Sequence, residues 1–566
     1  MREQLSRGFS VVVLVVILLS LAGTAAGQSL AESAAGVLSQ APAPSGPVRP
    51  LSVNDAIQLA LEQNLGLRVQ RLEPQIADES IVQVKTSWTP VLSSNVSNNS
   101  STSPVGSFLS GAVGKLTNQS FSASIGASQQ LPWFGGNYSV AWDNSRSKSN
   151  SAFSSPNPAV LSSISVSFTQ PLARNFKIDA ARQQLQLAQL TRETSDVSLR
   201  QAIFQTQRAV KHAYWNLAYA IASLAVQRQS LALAQESLKN NRARVEIGTM
   251  APIDIIQAEA EVAAREQAVI VAESSVAQAE DNLRTLIFDP STANFWNIRV
   301  ELTDKPEYQA PRIDVDAAVN GALEKRTDLI QAKNNLKMSD VNISYIRNQL
   351  LPDVNVQASY GLDGQGGTEI EFGGGFPPVP IGQGTIGYGN VLRQIGKNQF
   401  PTWRVGVVFS YPLGTSAAEA NLARTRLQYA QSQLQLKNTE LQITSQVRDV
   451  ARQVNTNAKR VTATRAAREL AAKRLEAEQK KFAAGMSTSF FVFQAQRDLA
   501  QAQNDELSAV LDFTKSLVDF ETVQEVPVAG SGGSVSVAGS GASSGLGTGT
   551  TAGSSGTASS MRRGGM

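Results

Sequence analysis

The sequence predicts an α+β membrane protein built from an internally duplicated unit, and three observations carry that prediction. An export signal opens the chain, and no later apolar run reaches the roughly 18 residues that a spanning helix needs. Strand-like segments with period-two alternation stand next to very long heptad helices. The whole order of elements occurs twice. A membrane-crossing part must then be made of strands closed into a barrel, because no other strand arrangement satisfies its backbone in lipid.

Composition excludes several classes of function. The chain has 566 residues, a net charge of +4, one histidine and no cysteine. There is therefore no disulfide, thiolate nucleophile or zinc–thiolate site, and a lone His212 cannot build a histidine metal cluster. His212 reads as an ordinary helix residue beside Tyr214 and Trp215. The charge is too mild for a nucleic-acid surface, and no basic patch interleaves with aromatics. No nucleophile–base cluster is present, so an enzyme is not expected, nor a cofactor.

In chain order, residues 1–27 read as a signal peptide: Arg2 and Arg7, an apolar run from Val11 to Leu21, then small residues at Ala25, Ala26 and Gly27. Residues 28–50 are a flexible lead-in rich in Ala, Ser, Gly and Pro. From Val53, apolar residues recur at helical spacing (Ala56, Ile57, Ala60, Leu61) to about Trp88, with a bend expected at Pro74 and an end at Pro90. This helix has a twin. Pro352 lies 262 residues after Pro90, and at that offset Val53 meets Val315, Leu67 meets Leu329 and Asp78 meets Asp340. The repeats are placed at 51–290 and 313–525, with a linker at 291–312 between them.

Strands follow each proline. Val354, Val356, Ala358 and Tyr360 alternate with polar residues, as do Trp403, Val405, Val407 and Phe409, and Ile164, Val166 and Phe168. Phe121, Ala123 and Ile125, then Tyr138, Val140 and Trp142, flank the Pro132–Gly136 turn as an extra hairpin in the first repeat. The Asn/Ser-rich flanks at 93–120 and 143–163, and the Gly-rich stretch 361–401, are expected to be loops. Gly382, Gly384 and Gly387 match a dinucleotide fingerprint by their letters, but prolines precede them and no helix is expected to follow.

Each repeat then passes a proline (Pro171, Pro412) into a very long helix. In the first, spanning about 178–247, Ile203, Val210, Leu217, Leu224, Leu231, Leu238 and Val245 fall seven apart. About 70 residues at 1.5 Å each make a rod of roughly 105 Å. Val447, Val454, Val461, Leu475 and Phe482 repeat the stripe, which Arg468 interrupts. Gly248 and Gly485, 237 residues apart, end these helices in sharp turns. Thr249 and Thr488 are the expected N-caps of the returning helices 252–286 and 488–522, with Pro252 in a first turn. The tail 526–566 is Gly/Ser-rich and expected to be disordered.

This order of elements resembles the TolC family of outer-membrane efflux and secretion channels over roughly 51–525, most specifically in Pro90 and Pro352 before strands, Pro171 and Pro412 before long helices, and the two glycine turns followed by Ala258 and Ala495. The resemblance implies a homotrimer in which each chain gives four strands to one shared barrel and the long helices form a periplasmic tunnel. Physics points the same way. A few strands cannot close alone, and a lone hairpin of this length cannot bury its stripe. The extra hairpin is either an extracellular elaboration or a third strand pair. In the family, the helix turns form the periplasmic aperture, where an adaptor docks and an inner-membrane transporter supplies energy. The residues carried over to that role are Arg244, Gly248, Asp254, Gln257, Gly485, Phe491 and Gln494. Asp254 takes the acidic position of the first turn, but Phe491 and Gln494 stand where the second would carry paired acids. The expectation is therefore a constriction narrowed by Phe491 that gates by excluding water. The implied function is an outer-membrane channel of a tripartite efflux or type I secretion system. The rival reading is a secreted coiled-coil scaffold or adhesin.

Overall fold

The computed structural model describes residues 48–105, 114–151, 154–291, 295–304, 313–374, 379–414 and 416–528. The segment read as a signal peptide, most of the expected lead-in and the tail from 529 lie outside the described residues. The chain divides into two compact units. One gathers the described residues of Met1–Leu65, Ala209–Glu307 and Ala477–Ala500; the other gathers those of Gly66–Arg208, Tyr308–Glu476 and Gln501–Met566.

Each repeat opens on a pair of helices: α1 (Val53–Gln63) and α2 (Leu65–Lys85), then α5 (Val315–Lys325) and α6 (Thr327–Gln349). Ser52 starts α1 through a reciprocal capping box with Asp55, and the Asp314 carboxylate caps α5 at the N–H groups of Asp316 and Ala317. The chain breaks at Asn64 and at its twin Arg326, both extended (ψ 121° and 131°). Pro74 sits inside α2, and the helix expected from Val53 to about Trp88 is instead interrupted ten residues before it, at Asn64.

Both break residues reach across to the end of a returning helix. Asn64 Nδ2 donates to the Leu286 carbonyl at 3.0 Å. Arg326 Nη1 donates to the Val523 carbonyl at 3.4 Å, the matching residue 237 positions on. Arg326 is 1% exposed and also binds both oxygens of Asp328 (3.0 and 2.6 Å) and Oε1 of Gln446 (2.9 Å). One repeat thus uses a neutral amide where the other uses a buried guanidinium.

The long helices are α3 (Ala180–Glu246) and α8 (Ala417–Ala483), 67 residues each, and the returning helices are α4 (Ile253–Ile287) and α9 (Ser489–Val523), 35 each. The heptad stripes are buried where they meet a core. In the first unit Val210, Ala213 and Leu217 pack with Ala56, Ala60, Leu283 and Ile287. In the second, Val447 and Val450 pack with Ala318, Ala322 and Leu329, while Val454 and Val461 pack with Ala509 and Phe513. Arg468, the break in the second stripe, forms an ion pair with Glu506 at 3.0 Å.

The first unit also holds a two-stranded parallel sheet of β1 (Val48–Leu51) and β6 (Arg299–Leu302). Tyr214 on α3 locks it. Its buried hydroxyl donates to the Leu51 carbonyl at 3.0 Å and accepts from the Asp304 N–H at 3.1 Å. Burial raises the phenol above its ordinary value near 10. A phenol raised in the folded state holds its full contribution below pH 10 and loses it as pH climbs through the folded value. Tyr214→Phe strands the Asp304 N–H and takes one donor from the Leu51 carbonyl, which keeps the Thr303 N–H at 3.1 Å, so a loss of about 1–3 kcal/mol is expected in chemical unfolding at neutral pH. The gap to the parent chain should narrow above pH 10; a neutral cost under about 0.5 kcal/mol would mean that the hydroxyl is not holding the sheet.

The second unit contains the large sheet. Its strands are β2 (Val91–Pro104), β3 (Lys115–Gln130), β4 (Asn137–Ser149), β5 (Ala159–Pro171), β7 (Asp353–Phe372), β8 (Pro380–Ile386) and β9 (Pro401–Ser410). The order is β2-β3-β4-β5-β7-β8, with β9 also on β7, and all pairs are antiparallel. Most of the flanks expected as loops are strand. From Ser97 to Ser103 both faces of β2 carry Ser, Asn or Thr, and its residue-by-residue pairing with β3 holds it in the ladder. The expected loop 361–401 is also corrected: it holds the far half of β7, all of β8, and helix α7 (Tyr388–Gly396).

A helix does therefore open directly after Gly387. Even so, Gly382 and Gly384 stand in an antiparallel ladder opposite Glu371 and Glu369, which is the wrong geometry and the wrong charge for a phosphate cradle. Helix α7 fills the gap between β9, which pairs with β7 up to Leu362, and β8, which pairs from Gly367. There Gln394 Oε1 accepts the Gln365 N–H at 2.9 Å. Val391 presses so closely that a Cβ at Gly366 would come within 2.5 Å of it, which is why the strand carries glycine there.

Candidate functional site

The two helix turns lie in the same unit, and their backbones are copies of each other. Gly248 and Gly485 both have φ +77°, a conformation that glycine adopts without strain. In the first turn the Thr249 N–H donates to the Arg244 carbonyl (2.9 Å) and the Gly248 N–H to that of Val245 (2.9 Å). In the second, Met486 donates to Lys481 (2.9 Å) and Gly485 to Phe482 (3.1 Å). This is the Schellman closure, in which the last helix carbonyls are satisfied from within the turn. The Thr249 hydroxyl also donates to the Arg244 carbonyl at 3.0 Å, so Thr249 finishes α3 instead of capping α4, whose N-cap is Pro252.

The side chains break the symmetry. The acid of the first turn, Asp254, accepts a hydrogen bond from the Ser489 hydroxyl of the second at 2.8 Å. Arg244 lies over the Phe482 ring, 4.6 Å from its centroid, and joins the last turns of α3 and α8. Gly248 and Gln257 are exposed, as is Gly485. Phe491, which replaces Asp254 in the second repeat, is 52% exposed and meets the 54% exposed Phe490 edge to face at 5.6 Å. Phe493 is buried instead. Gln494 accepts from Arg497 at 3.0 Å and donates to Asp498 at 2.8 Å.

Sequence reasoning missed the strongest tie. Glu261 on α4 is nearly buried and is held by two cations: Arg265 on its own helix at 2.8 Å, and Arg497 on α9 at 3.2 Å. The i,i+4 spacing of Glu261 and Arg265 was readable. Arg497 was not, because its twin in the first repeat is Ala260 and the duplication gives no hint of it. Gln496 adds a bond to Ser237 of α3 at 3.1 Å. Between the turns runs a groove of about 320 Å³, lined by Leu233, Asn240, Phe482, Val492 and Phe493 among others. The arrangement is a set of separable ties between two helical hairpins.

A duplicated pair of helical hairpins attached to an antiparallel sheet with one apolar face defines an outer-membrane channel fold. Solved channels share it at the level of architecture. CusC matches with a TM-score of 0.61 at 14% identity, over 84% of this chain and 92% of that one. The Campylobacter jejuni CmeC outer membrane channel matches with 0.59 at 13%, over 84% and 85%. The Neisseria gonorrhoeae MtrE outer membrane channel, solved in an open state, matches with 0.55 at 18%, over 84% and 89%. A search of curated proteins returned no match. The profile of the outer membrane efflux protein family matches residues 138–287 and 318–522, more than half of the sequence, and the chain belongs to that family. It is an outer-membrane protein with a periplasmic extension, and its class is that of a channel. Membership displaces the scaffold or adhesin reading.

Proposed function

We propose that three copies of this chain form one channel that passively conducts cargo from the periplasmic side to the exterior, and that the paired helix turns are its periplasmic aperture. A periplasmic adaptor seats there and couples the channel to an inner-membrane transporter. The assembly is a tripartite efflux system or a type I secretion system, and the family's description as an outer membrane efflux protein supports an export channel. The observation that carries the aperture is the meeting of the two turns in one unit, with Asp254 engaged by Ser489 while Phe491 stays exposed. A carboxylate already bonded within the chain makes a poor ring of free acids, and an exposed aromatic makes a good dry constriction. Arg244, Gly248, Gln257, Gly485 and Gln494 supply the surrounding surface.

The test is Phe491→Ala in planar bilayers and in cells. Single-channel conductance is expected to rise severalfold, and sensitivity to large antibiotics should rise with it, because removing a hydrophobic constriction lowers the dewetting barrier. Unchanged conductance in a variant that still assembles would remove Phe491 from the gate.

A further inference from the structure

We propose that the extra hairpin β3–β4 crosses the outer membrane, so that each chain supplies six spanning strands and three copies close an eighteen-stranded barrel. This rests on the channel reading above and departs from the four strands per chain that family resemblance implies.

Registry is the first argument. Single rows of paired residues run through all six long strands without interruption. One row is Leu92, Ala127, Val140, Val166, Tyr360 and Trp403, apolar from edge to edge. The adjacent row is Ser93, Gly126, Ala141, Ser165, Gly361 and Thr402, small or polar throughout. The next polar row is Asn95, Ser124, Asp143, Ser163 and Asp363. The hairpin lies inside these rows, between β2 and β5. A projection beyond the membrane would have no reason to continue the apolar face of its neighbours at the same height. Because side chains alternate with period two, a slip of one residue would put the hairpin's polar set into lipid, and no such slip is present.

Length and direction agree. The hairpin strands have 16 and 13 residues, against the roughly 9–11 that a tilted spanning strand needs. The apolar row is open to its surroundings: Trp403 is 76% exposed. Lipid is the occupant that matches such a face. The two ends of the six-strand run are β2 and β9, which run in opposite directions, so β9 of one copy meets β2 of the next as an antiparallel pair. Inserting one hairpin keeps that relation, because it adds two strands. Barrel diameter grows roughly linearly with strand number, so eighteen strands give about 1.5 times the width of twelve. The membrane section is then not the size filter, and the aperture at the helix turns sets the limit on cargo.

The chain has no cysteine, so single cysteines are unique probes. Ser124→Cys and Ile125→Cys test β3, Ala141→Cys and Val140→Cys test β4, and Ser165→Cys and Val166→Cys serve as the β5 reference. Each is exposed in whole cells to a membrane-impermeant maleimide. The expected result is strong labelling at 124, 141 and 165 and little at 125, 140 and 166, with eighteen strands counted in end-on electron-microscopy averages of the detergent-purified protein. Equal labelling at both faces of β3 and β4, with alternation kept in β5 and twelve strands counted, would overturn the wide barrel and leave the channel standing. Loss of alternation in β5 as well would overturn the channel reading on which it rests.

Discussion

Arg326→Ala should destabilise the chain by about 3–5 kcal/mol, more than any other single truncation proposed for it. The guanidinium is 1% exposed and satisfies Asp328, Gln446 and the Val523 carbonyl together. Removing it leaves a void, a carboxylate without its bidentate partner and two further acceptors without donors. The internal control is Asn64→Ala at the equivalent break, where the neutral hydrogen bond to Leu286 is lost and a smaller cost, about 1 kcal/mol for that bond, is expected. Thermal or urea unfolding of both variants in detergent decides the matter. Equal costs would mean that the ionic cluster adds nothing to the hold the amide achieves alone. Arg326→Met should recover much of the loss by filling the space, because replacing a buried charge with an apolar chain of similar length is often tolerated.

The second large effect is expected at the helix turns. Arg497→Ala removes the bond that reaches from α9 to Glu261 on α4, leaving Glu261 with Arg265. The bond joins charged groups, one of them nearly buried, so a coupling of about 1.5–3 kcal/mol is expected from a double-mutant cycle with Glu261→Gln. Under the proposed function, this loosens one hairpin against the other. Leak conductance should rise and become less sensitive to ionic strength, since a screened ion pair would no longer contribute. Combining Arg497→Ala with Ser489→Ala, which frees Asp254, should increase the leak further. A channel that stays as tight as the parent with both ties cut would show that closure lies elsewhere.

The long elements were legible because their signals are periodic and repeated. Seven heptad positions from Ile203 to Val245 place α3, and the offset of 237 places α8 from it. Gly248 and Gly485 mark both turns because only one backbone conformation closes them that way. The barrel strands were half legible. Val354 to Tyr360 alternates with large residues, whereas β2 offers only Leu92 and Val96 on its apolar side among serines and asparagines. Its pairing with β3, not its own composition, makes it a strand. The interruptions at Asn64 and Arg326 carry no Gly or Pro, so local punctuation was silent. At the site, Asp254 and Phe491 were visible through the duplication, whereas Arg497 and Glu261 were not, because ties between hairpins are set by packing and leave no spacing pattern in one strand of sequence.

The sheet's two outer strands carry a consequence for how such a chain travels. Every residue of β2 is exposed, as is all of β9 except Gly406, and β9 bears Trp403, Val405, Val407 and Phe409. A newly exported copy is sticky along one border and bland along the other, where serine and asparagine prevail. Two sticky borders meeting would form a twofold pair that never closes, whereas sticky against bland propagates head to tail into a ring. The low apolar content of β2 thus acts as insurance in transit. It weakens the wrong pairing between copies before a ring closes.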